Sequence, residues 1–277
     1  MKADCHMHMV LDGRDWRTSI NAHLRSPDER IIRQALKTYA DLGYTFLRDG
    51  GDRWGVGARA RELAHEYRIT YRTPLAPLCK KGHYGSFIGT VYDSLKEYAR
   101  LVVLTRQAGG DFIKIMISGL MDFDRYAVLT EEPLHPEEIK ELIKIAHEEG
   151  MAVMAHANGA RTVEAAAAAG VDSVEHGAYL DDDALAAMAE NGTVWVPTLS
   201  TIGNLRGKGR FSEMDVRKIL ESAQKNVARY AGAIAPGTDA GAWSVPHGSE
   251  TEVELLKEAG VTDERLAAGI GIIKEKF

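Results

Sequence analysis

Short apolar runs that follow a glycine recur along the chain. Gly150 precedes the run 151–155, Gly170 precedes 171–175, and Gly192 precedes 193–196. Helices often end with a residue in the left-handed conformation, which glycine adopts readily. Each run is too short for a helix but fits a buried parallel strand. With similar runs elsewhere, the pattern predicts eight strands, over 4–8, 44–47, 69–73, 111–113, 151–155, 171–175, 193–196 and 233–235.

Segments with helical periodicity lie between most of these runs. In the segment 136–149, Ile139, Leu142, Ile143 and Ala146 fall on one helical face, and a proline occupies the first turn. Similar patterns predict helices over 28–42, 91–108, 136–149, 181–190, 212–231 and 262–277.

Strands that alternate with helices predict an α/β fold with a parallel sheet. Eight repeats in 277 residues favour a closed (β/α)8 TIM barrel forming a single domain over residues 1–277. The alternative, a doubly wound sheet, is disfavoured because no G-x-G-x-x-G motif follows a strand. The connection 74–90 is longer than usual and predicts a lid or a binding segment.

Composition narrows the function classes. The net charge of -6 argues against binding to nucleic acid or to an anionic membrane surface. The only two cysteines, Cys5 and Cys79, favour a reducing compartment. The sequence contains no run of 18 apolar residues, so no membrane span is predicted. We therefore expect a soluble, cytoplasmic protein that acts on a small molecule, and a homo-oligomer is possible.

Metal-binding residue types fall at the ends of the predicted strands. His6 and His8 are two residues apart on a strand, so both imidazoles point to the same side. His156, His176 and Asp239 follow later strands, and loops at the carboxyl ends of barrel strands converge on one rim. Each residue alone also fits a core histidine or a turn aspartate, but the shared position predicts a metal site.

Lys114 lies in an apolar run, where a charged amine is costly to bury. One interpretation is a lysine whose amine extends to solvent at the rim. The other is a lysine carboxylated by CO2, whose carbamate bridges two cations. That reaction requires the neutral amine, so burial must lower a pKa that is ordinarily about 10.4.

Together these residues resemble the metal-dependent amidohydrolase superfamily. The segments 156–159, 174–177 and 237–241 are most similar to its imidazolonepropionase-like and prolidase-type, carboxylated-lysine branch, and the resemblance covers nearly the whole chain. It implies one cation held by His6, His8, Lys114 carbamate and Asp239, and a second held by the carbamate, His156 and His176. Zinc is the implied metal, with manganese, iron or cobalt possible.

The resemblance also implies a mechanism. A hydroxide between the two cations attacks an amide-type carbonyl, and Asp239 acts first as base and then as acid. In a mononuclear alternative, the bridging lysine is unused and His176 polarises the substrate. Hydrolysis of a lactone or phosphoester on the same site, and a metal-binding barrel without turnover, stay open as further alternatives.

The sequence differs from many members of this superfamily in one respect, and the resemblance does not identify the substrate. Many relatives carry an accessory β-sandwich, whereas here the first strand lies next to Met1 and 38 residues follow Asp239, so we expect a barrel without that domain. The substrate is expected to be a dipeptide, an N-acyl amino acid or a cyclic amide. Candidate contacts to it are rim residues, namely Arg48, His83, Tyr84, Asn158, Tyr179, Trp243 and His247.

Overall fold

The α/β fold predicted from the sequence is confirmed. A computed structural model describes residues 2–209 and 211–277. Its strands are β1 (Lys2–Met7), β2 (Tyr44–Asp49), β3 (Thr70–Arg72), β4 (Leu78–Lys80), β5 (Thr90–Tyr92), β6 (Ile113–Met116), β7 (Val153–Ala157), β8 (Ser173–His176) and β9 (Val194–Val196).

The helices lie between the strands and follow the last one. They are α1 (Trp16–Asn21), α2 (Glu29–Asp41), α3 (Val56–Ala64), α4 (Leu95–Gln107), α5 (Pro136–Glu148), α6 (Ala160–Ala168), α7 (Asp182–Glu190), α8 (Ser200–Gly203), α9 (Glu213–Arg229), α10 (Thr251–Glu258) and α11 (Asp263–Lys276), with a short 3-10 helix at His65–Tyr67. No helix among the described residues combines the length and the apolar character needed to cross a bilayer.

The strands form two parallel sheets. One has the order β1-β2-β3 and the other the order β5-β4-β6-β7-β8-β9. Every strand pair is parallel. The carboxyl ends of β6, β7 and β8 therefore meet at one edge of the larger sheet.

The predicted closed barrel is not reproduced by regular strand pairing. The eighth strand predicted over 233–235 is wrong, because this segment forms only an isolated bridge between Ile234 and Trp195. Irregular hydrogen bonds still connect it to both sheets: Trp195 donates to the Ala233 carbonyl (2.9 Å), and Cys5 donates to the Pro236 carbonyl (2.8 Å). The Pro236-Gly237 sequence explains the irregularity, since proline has no N–H for a ladder and glycine weakens a strand.

The connection 74–90 also differs from the prediction. It contains β4, in which Leu78 pairs with Ile115 of β6 and with Thr90 of β5. Helix α4 accordingly begins at Leu95, with Ser94 as its N-cap, rather than at residue 91. Part of the predicted lid is therefore sheet, while residues 74–77 and the segment between β4 and β5 are loops.

The core is packed between the sheets and the helices, and it closes the amino-terminal end of the strands. Phe112, directly before β6, packs edge to face against Phe277 after α11, with ring centroids 5.3 Å apart. Both rings are buried. This apolar base leaves the opposite, carboxyl-terminal end of the strands for polar side chains.

Candidate metal centre

The carboxyl ends of the strands hold the candidate ligands. His6 lies within β1 and His8 directly follows it, while His156 lies within β7 and His176 ends β8. Asp239 lies in the irregular segment, where its N–H donates to the His6 carbonyl at 2.7 Å. Residues that are distant in sequence are thus held side by side.

His6, His8 and Asp239 form a compact group of ligand atoms. The two Nε2 atoms are 3.4 Å apart, and Asp239 Oδ1 lies 3.4 Å from the nitrogen of His6 and 3.3 Å from that of His8. All three residues are buried. Two imidazole nitrogens and one carboxylate oxygen directed at one point fit a divalent cation.

His156 and His176 form a neighbouring pair with ring centroids 4.5 Å apart, and His176 lies 5.1 Å from His6. His156 Nε2 donates to the Gly119 carbonyl (3.2 Å), which leaves Nδ1 as a ligand atom. His176 Nδ1 lies 2.7 Å from Thr198 Oγ1, which leaves Nε2. Each ring is therefore held through one nitrogen while the other stays available, as at metal sites.

Lys114 is the second residue of β6, not the residue after the strand as the sequence suggested. Its side chain is 1% exposed, and its Nζ has no hydrogen-bond partner among the residues that the structure describes. Burial lowers the pKa of this amine to about 8, although the charge of Glu175 opposes the shift. The interpretation as an amine that extends to solvent is thus wrong, and an unpartnered buried amine beside the histidines fits a lysine that is modified or binds a ligand.

Arg48 and Glu175 form a buried ion pair beneath the site. Glu175 Oε2 lies 2.7 Å from His6 Nδ1, and Arg48 donates to Glu175 Oε1 at 2.8 Å. Arg48 also donates to Ser173 Oγ (2.9 Å) and to the Cys5 carbonyl (2.6 Å). Arg48 is therefore enclosed by protein and does not line the rim as predicted.

Glu175 is a functional candidate that sequence reasoning missed. The available signal was a carboxylate inside an apolar strand, next to a candidate ligand. The guanidinium of Arg48 and the hydrogen bond from His6 outweigh burial and hold the pKa of Glu175 at about 2. An ionised Glu175 fixes the His6 proton on Nδ1 and leaves Nε2 to face His8 and Asp239.

The electrostatics keep the ligands in the forms that bind a cation. Burial, with a smaller contribution from the charge of Lys114, lowers the pKa of His6 to about 4 and that of His156 to about 3. The pKa of His176 is lowered well below its ordinary value for the same reason. Burial opposes ionisation of Asp239, but the neighbouring histidines and Lys114 lower its pKa below the ordinary value. The imidazoles of His6, His156 and His176 are therefore neutral and the carboxylate of Asp239 is ionised.

The Asp239 segment is held from behind by Asp4. Its carboxylate accepts from the Thr238 N–H at 2.9 Å and from Thr238 Oγ1 at 2.6 Å. Burial raises the pKa of Asp4 to about 6, although the hydrogen bonds from Thr238 oppose the shift. The position of Asp239 thus depends on β1 through both Asp4 and the His6 carbonyl.

Strained backbone is concentrated at this face. His176, Tyr179, Thr198 and Asp239 have positive φ values of 69°, 59°, 50° and 55°. Non-glycine residues avoid this region at a cost of about 1–3 kcal/mol each, and such strain is typical of functional sites. Close packing adds a second constraint, because a Cβ on Gly50 would lie 2.7 Å from His8 Nδ1.

The ring of Tyr84, a predicted substrate contact, lies 4.8 Å from the ring of His156. Burial and the charge of Asp239 raise the pKa of the Tyr84 hydroxyl. His83 Nδ1 lies 3.5 Å from Glu131 Oε1. The structure thus places His83 and Tyr84 together beside the loop that follows β6.

The remaining predicted contacts are dispersed. Asn158 donates to the Gly119 carbonyl (3.0 Å) and accepts from the Ala178 N–H (2.9 Å), so it positions two loops. Trp243 is 38% exposed, and Tyr179 packs against Tyr126. His247 contacts other parts of the protein: its Nε2 lies 2.8 Å from the Leu11 carbonyl, and its ring packs on Tyr39.

Two cavities differ in their relation to the ligands. The one beside His176 has a volume of about 10 Å³, room for about one water. A larger cavity of about 590 Å³ lies by Lys2, Tyr44 and Ile270, at the other end of the strands, and none of the candidate ligands lines it. The position of the ligand group, and not the size of a cavity, therefore marks the candidate site.

Comparison with known proteins identifies the family. The model of the amidohydrolase family matches residues 18–257. Ochratoxinase of Aspergillus niger is 27% identical over 296 aligned residues, which cover 94% of this chain and 61% of that enzyme. The chain thus spans about three fifths of the length of this relative.

Solved structures show the same architecture. A Xaa-Pro dipeptidase with bound methionine superposes with a TM-score of 0.77 at 22% identity, covering 99% of this chain and 75% of that one. The crystal structure of A. niger ochratoxinase gives a TM-score of 0.76 at 22% identity, over 99% and 69%. These likenesses confirm a fold of TIM-barrel type, and the resemblance inferred from the sequence is also confirmed: the chain belongs to the amidohydrolase family.

Proposed function

We propose that the protein is a metal-dependent hydrolase that cleaves an amide-type C–N bond in a small molecule, such as a dipeptide, an N-acyl amino acid or a cyclic amide. The observation that carries this proposal is the group of His6 Nε2, His8 Nε2 and Asp239 Oδ1, at 3.3–3.4 Å from one another. Membership of the amidohydrolase family and the 27% identity to ochratoxinase support the same class of reaction.

Two divalent ions, with zinc as the first choice, fit the donor set. His6, His8 and Asp239 would hold one ion, and His156 with His176 would hold the other. When bound, the ions supply Lewis acidity that polarises the substrate carbonyl and makes the attacking water more acidic. The low pKa values of His6 and His156 keep the ligand nitrogens of these two rings free of protons at neutral pH.

Lys114 would connect the two ligand groups as a carbamate. Its neutral amine would bond to the carbon of CO2 and release one proton, which gives an anion with two oxygen ligands. A pKa of about 8 leaves a substantial fraction of the amine neutral at pH 7–8. Within residues 2–209 and 211–277 no group accepts a hydrogen bond from Nζ, which leaves the amine available for this reaction.

Asp239 would move the proton. One carboxylate oxygen, Oδ1, faces His6 and His8, and the other would take a proton from the attacking water. The same oxygen would then deliver that proton to the leaving nitrogen, as a general base followed by a general acid. The lowered pKa of Asp239 ensures that its carboxylate starts the cycle ionised.

The test combines metal analysis with a substrate panel. Purified, metal-loaded protein is assayed with N-acyl amino acids, dipeptides, cyclic amides, lactones and phosphoesters. We expect amide hydrolysis with two ions per chain, and a loss of about 10²- to 10⁴-fold in kcat for Asp239→Asn with metal still bound. Asp12→Asn is the control, because it removes an exposed carboxylate from the loop after β1.

The other outcomes separate the alternatives. Hydrolysis of lactones or phosphoesters alone would contradict the amide assignment. One ion per chain, with no mass added to Lys114, would replace the binuclear centre by a mononuclear one in which His176 polarises the substrate. Bound metal without turnover of any compound would contradict the assignment as an enzyme.

A further inference from the structure

Exposed aromatic side chains are concentrated around the candidate metal centre. Within residues 2–209 and 211–277, the large aromatic side chains that are exposed are Trp16, Tyr126 and Trp243, at 40%, 38% and 38%. They lie on the connections that follow β1, β6 and Asp239, at the end of the strands that holds the ligands. Other large aromatic residues, such as Trp195 and Tyr98, are fully buried.

A row of rings leads from one candidate ligand to the surface. The ring of Tyr84 lies 4.8 Å from that of His156, and Phe87 lies 5.8 Å from Tyr84. Trp16 follows at 5.4 Å from Phe87, and it is the exposed end of the row. All three separations fall in the range of aromatic contacts. The row therefore connects the solvent to the metal centre by a surface of rings.

Further loops of the same face contribute more rings. Tyr126 packs against Tyr179 at 5.5 Å, and Phe123 packs against Phe211 at 4.9 Å. Phe211 lies 6.3 Å from Trp243. Aromatic side chains thus come from the connections after β6, β8 and β9 as well as from those after β1 and β4.

Loop packing alone does not account for this arrangement. Rings that only hold loops together would be expected to be buried, because burying a large apolar side chain lowers the free energy of the folded protein. Here the outermost ring of the row is the most exposed, while the innermost contacts a candidate ligand. Exposed apolar surface that continues into a site is typical of ligand recognition.

We propose that Trp16, Tyr84, Phe87, Tyr126 and Trp243, the aromatic rim, bind an aromatic group of the substrate. This inference rests on the proposed function and specifies its substrate class: an amide that carries an aromatic ring on its acyl or its amine part. Ring-on-ring contact positions the amide over His6, His156 and His176. Aliphatic amides of the same size gain less from the rim.

Two measurements on the metal-loaded protein test the proposal. In the first, kcat/KM is compared for N-acetyl-L-phenylalanine against N-acetyl-L-alanine, and for N-benzoylglycine against N-acetylglycine. We expect the aromatic member of at least one pair to react about tenfold faster. In the second, calorimetry gives the Kd of phenylacetate and of acetate, neither of which contains an amide. We expect phenylacetate to bind about tenfold more tightly.

Variants locate the effect. Trp16→Leu and Trp243→Leu are each expected to reduce the aromatic preference in both measurements to a few fold or less. Tyr67→Leu is the matched control, because this ring lies before β3, at the other end of the strands, and its loss leaves the preference unchanged. Equal values for aromatic and aliphatic compounds, or a preference that both rim variants retain, would overturn the proposal. A preference for phenylacetate without hydrolysis of any amide would instead contradict the proposed function and leave the aromatic rim in place.

Discussion

Glu175 Oε2 lies 2.7 Å from Nδ1 of His6, with both side chains fully buried. The contact determines which nitrogen of His6 carries the proton, so Nε2 is left to face His8 and Asp239. The other oxygen of Glu175 accepts from Arg48, which keeps the carboxylate ionised. A single ion pair in the core thus sets the tautomer of a candidate metal ligand.

Replacing Glu175 by glutamine should weaken metal binding. The amide oxygen still accepts from His6, but it lacks the charge that makes the imidazole a stronger ligand. Loss of such a supporting carboxylate typically costs about 10- to 100-fold in metal affinity. Competition with a chromogenic chelator measures the zinc Kd, and Glu250→Gln, which removes an exposed carboxylate, is the control. An unchanged Kd in Glu175→Gln would show that this contact does not tune the ligand.

Replacing Arg48 by methionine should affect stability more than substrate binding. Arg48 is fully buried and donates to Glu175, Ser173 and the Cys5 carbonyl, so its loss leaves the Glu175 charge unpaired in the core. Removing one partner of a buried ion pair lowers the free energy of unfolding by about 3–5 kcal/mol. Urea unfolding measures this loss, and the double variant Arg48→Met/Glu175→Gln should recover much of it. A raised KM at unchanged stability would restore the original prediction that Arg48 contacts substrate.

The carbamate proposed on Lys114 predicts that metal binding depends on dissolved CO2. Apo-protein reconstituted in degassed buffer should take up fewer ions than protein reconstituted with bicarbonate, because the unmodified amine supplies no oxygen ligands. The pKa of about 8 favours carbamate formation as the pH rises from 7 to 8.5. Metal content per chain and native mass spectrometry provide the readouts. Lys114→Met is the control, and equal ion uptake with and without bicarbonate in the unmodified sequence would exclude the bridge.

Much of the architecture was predictable because the signals are local. The helix predicted over 136–149 is α5 (Pro136–Glu148), since proline in its first turn and four regularly spaced apolar residues specify both its start and its buried face. The alternation of His6 and His8 on a strand likewise predicted that both imidazoles face one point. Periodicity and residue type are sufficient for such features.

Other features depend on contacts that no local pattern encodes. Arg48 is directed away from the rim because Glu175 and Ser173, more than 120 positions away along the chain, supply its partners. Strand β4 has three residues in a connection rich in proline and glycine, and it exists because β5 and β6 pair with it. The last segment was predicted as a strand because it is apolar, but Pro236 and Gly237 prevent a regular ladder.

Gly50 is predicted to be essential for the position of His8. A Cβ at this position would lie 2.7 Å from His8 Nδ1, closer than side-chain atoms approach, so Gly50→Ala must displace the imidazole. We expect a loss of at least about tenfold in metal affinity, as for a disturbed ligand. Gly271→Ala is the matched control, because nothing lies within 4 Å of its Cβ. Its position inside α11 should even raise stability by up to about 1 kcal/mol. Chelator competition and urea unfolding distinguish the two effects.

Glu252 gives a pH dependence that can be separated from the metal centre. The carboxyl group is fully buried. Its Oε2 accepts from the Ser200 N–H at 2.7 Å and from Ser200 Oγ at 3.0 Å, whereas Oε1 has no partner in the described part of the chain. Burial raises its pKa from 4.5 to about 8, with Ser200 opposing the shift. Between these values the folded state holds a proton that the unfolded chain has lost. Folding stability therefore falls as the pH rises from about 4.5 to 8.

Glu252→Gln removes this titration while keeping the size of the side chain. The difference in Tm, variant minus unmodified protein, should increase by roughly 5 °C or more from pH 5.5 to pH 8.5. The reason is that each tenfold difference in proton affinity between the folded and unfolded chain corresponds to about 1.4 kcal/mol. Asp4, whose pKa burial raises to about 6, titrates in both proteins; its charge contributes to the raised pKa of Glu252, so the difference reports Glu252 together with this coupling. Differential scanning calorimetry of the apo-proteins gives both Tm values. A constant difference between the two pH values would mean that Glu252 titrates alike in the folded and unfolded chain, which its burial beside Ser200 argues against.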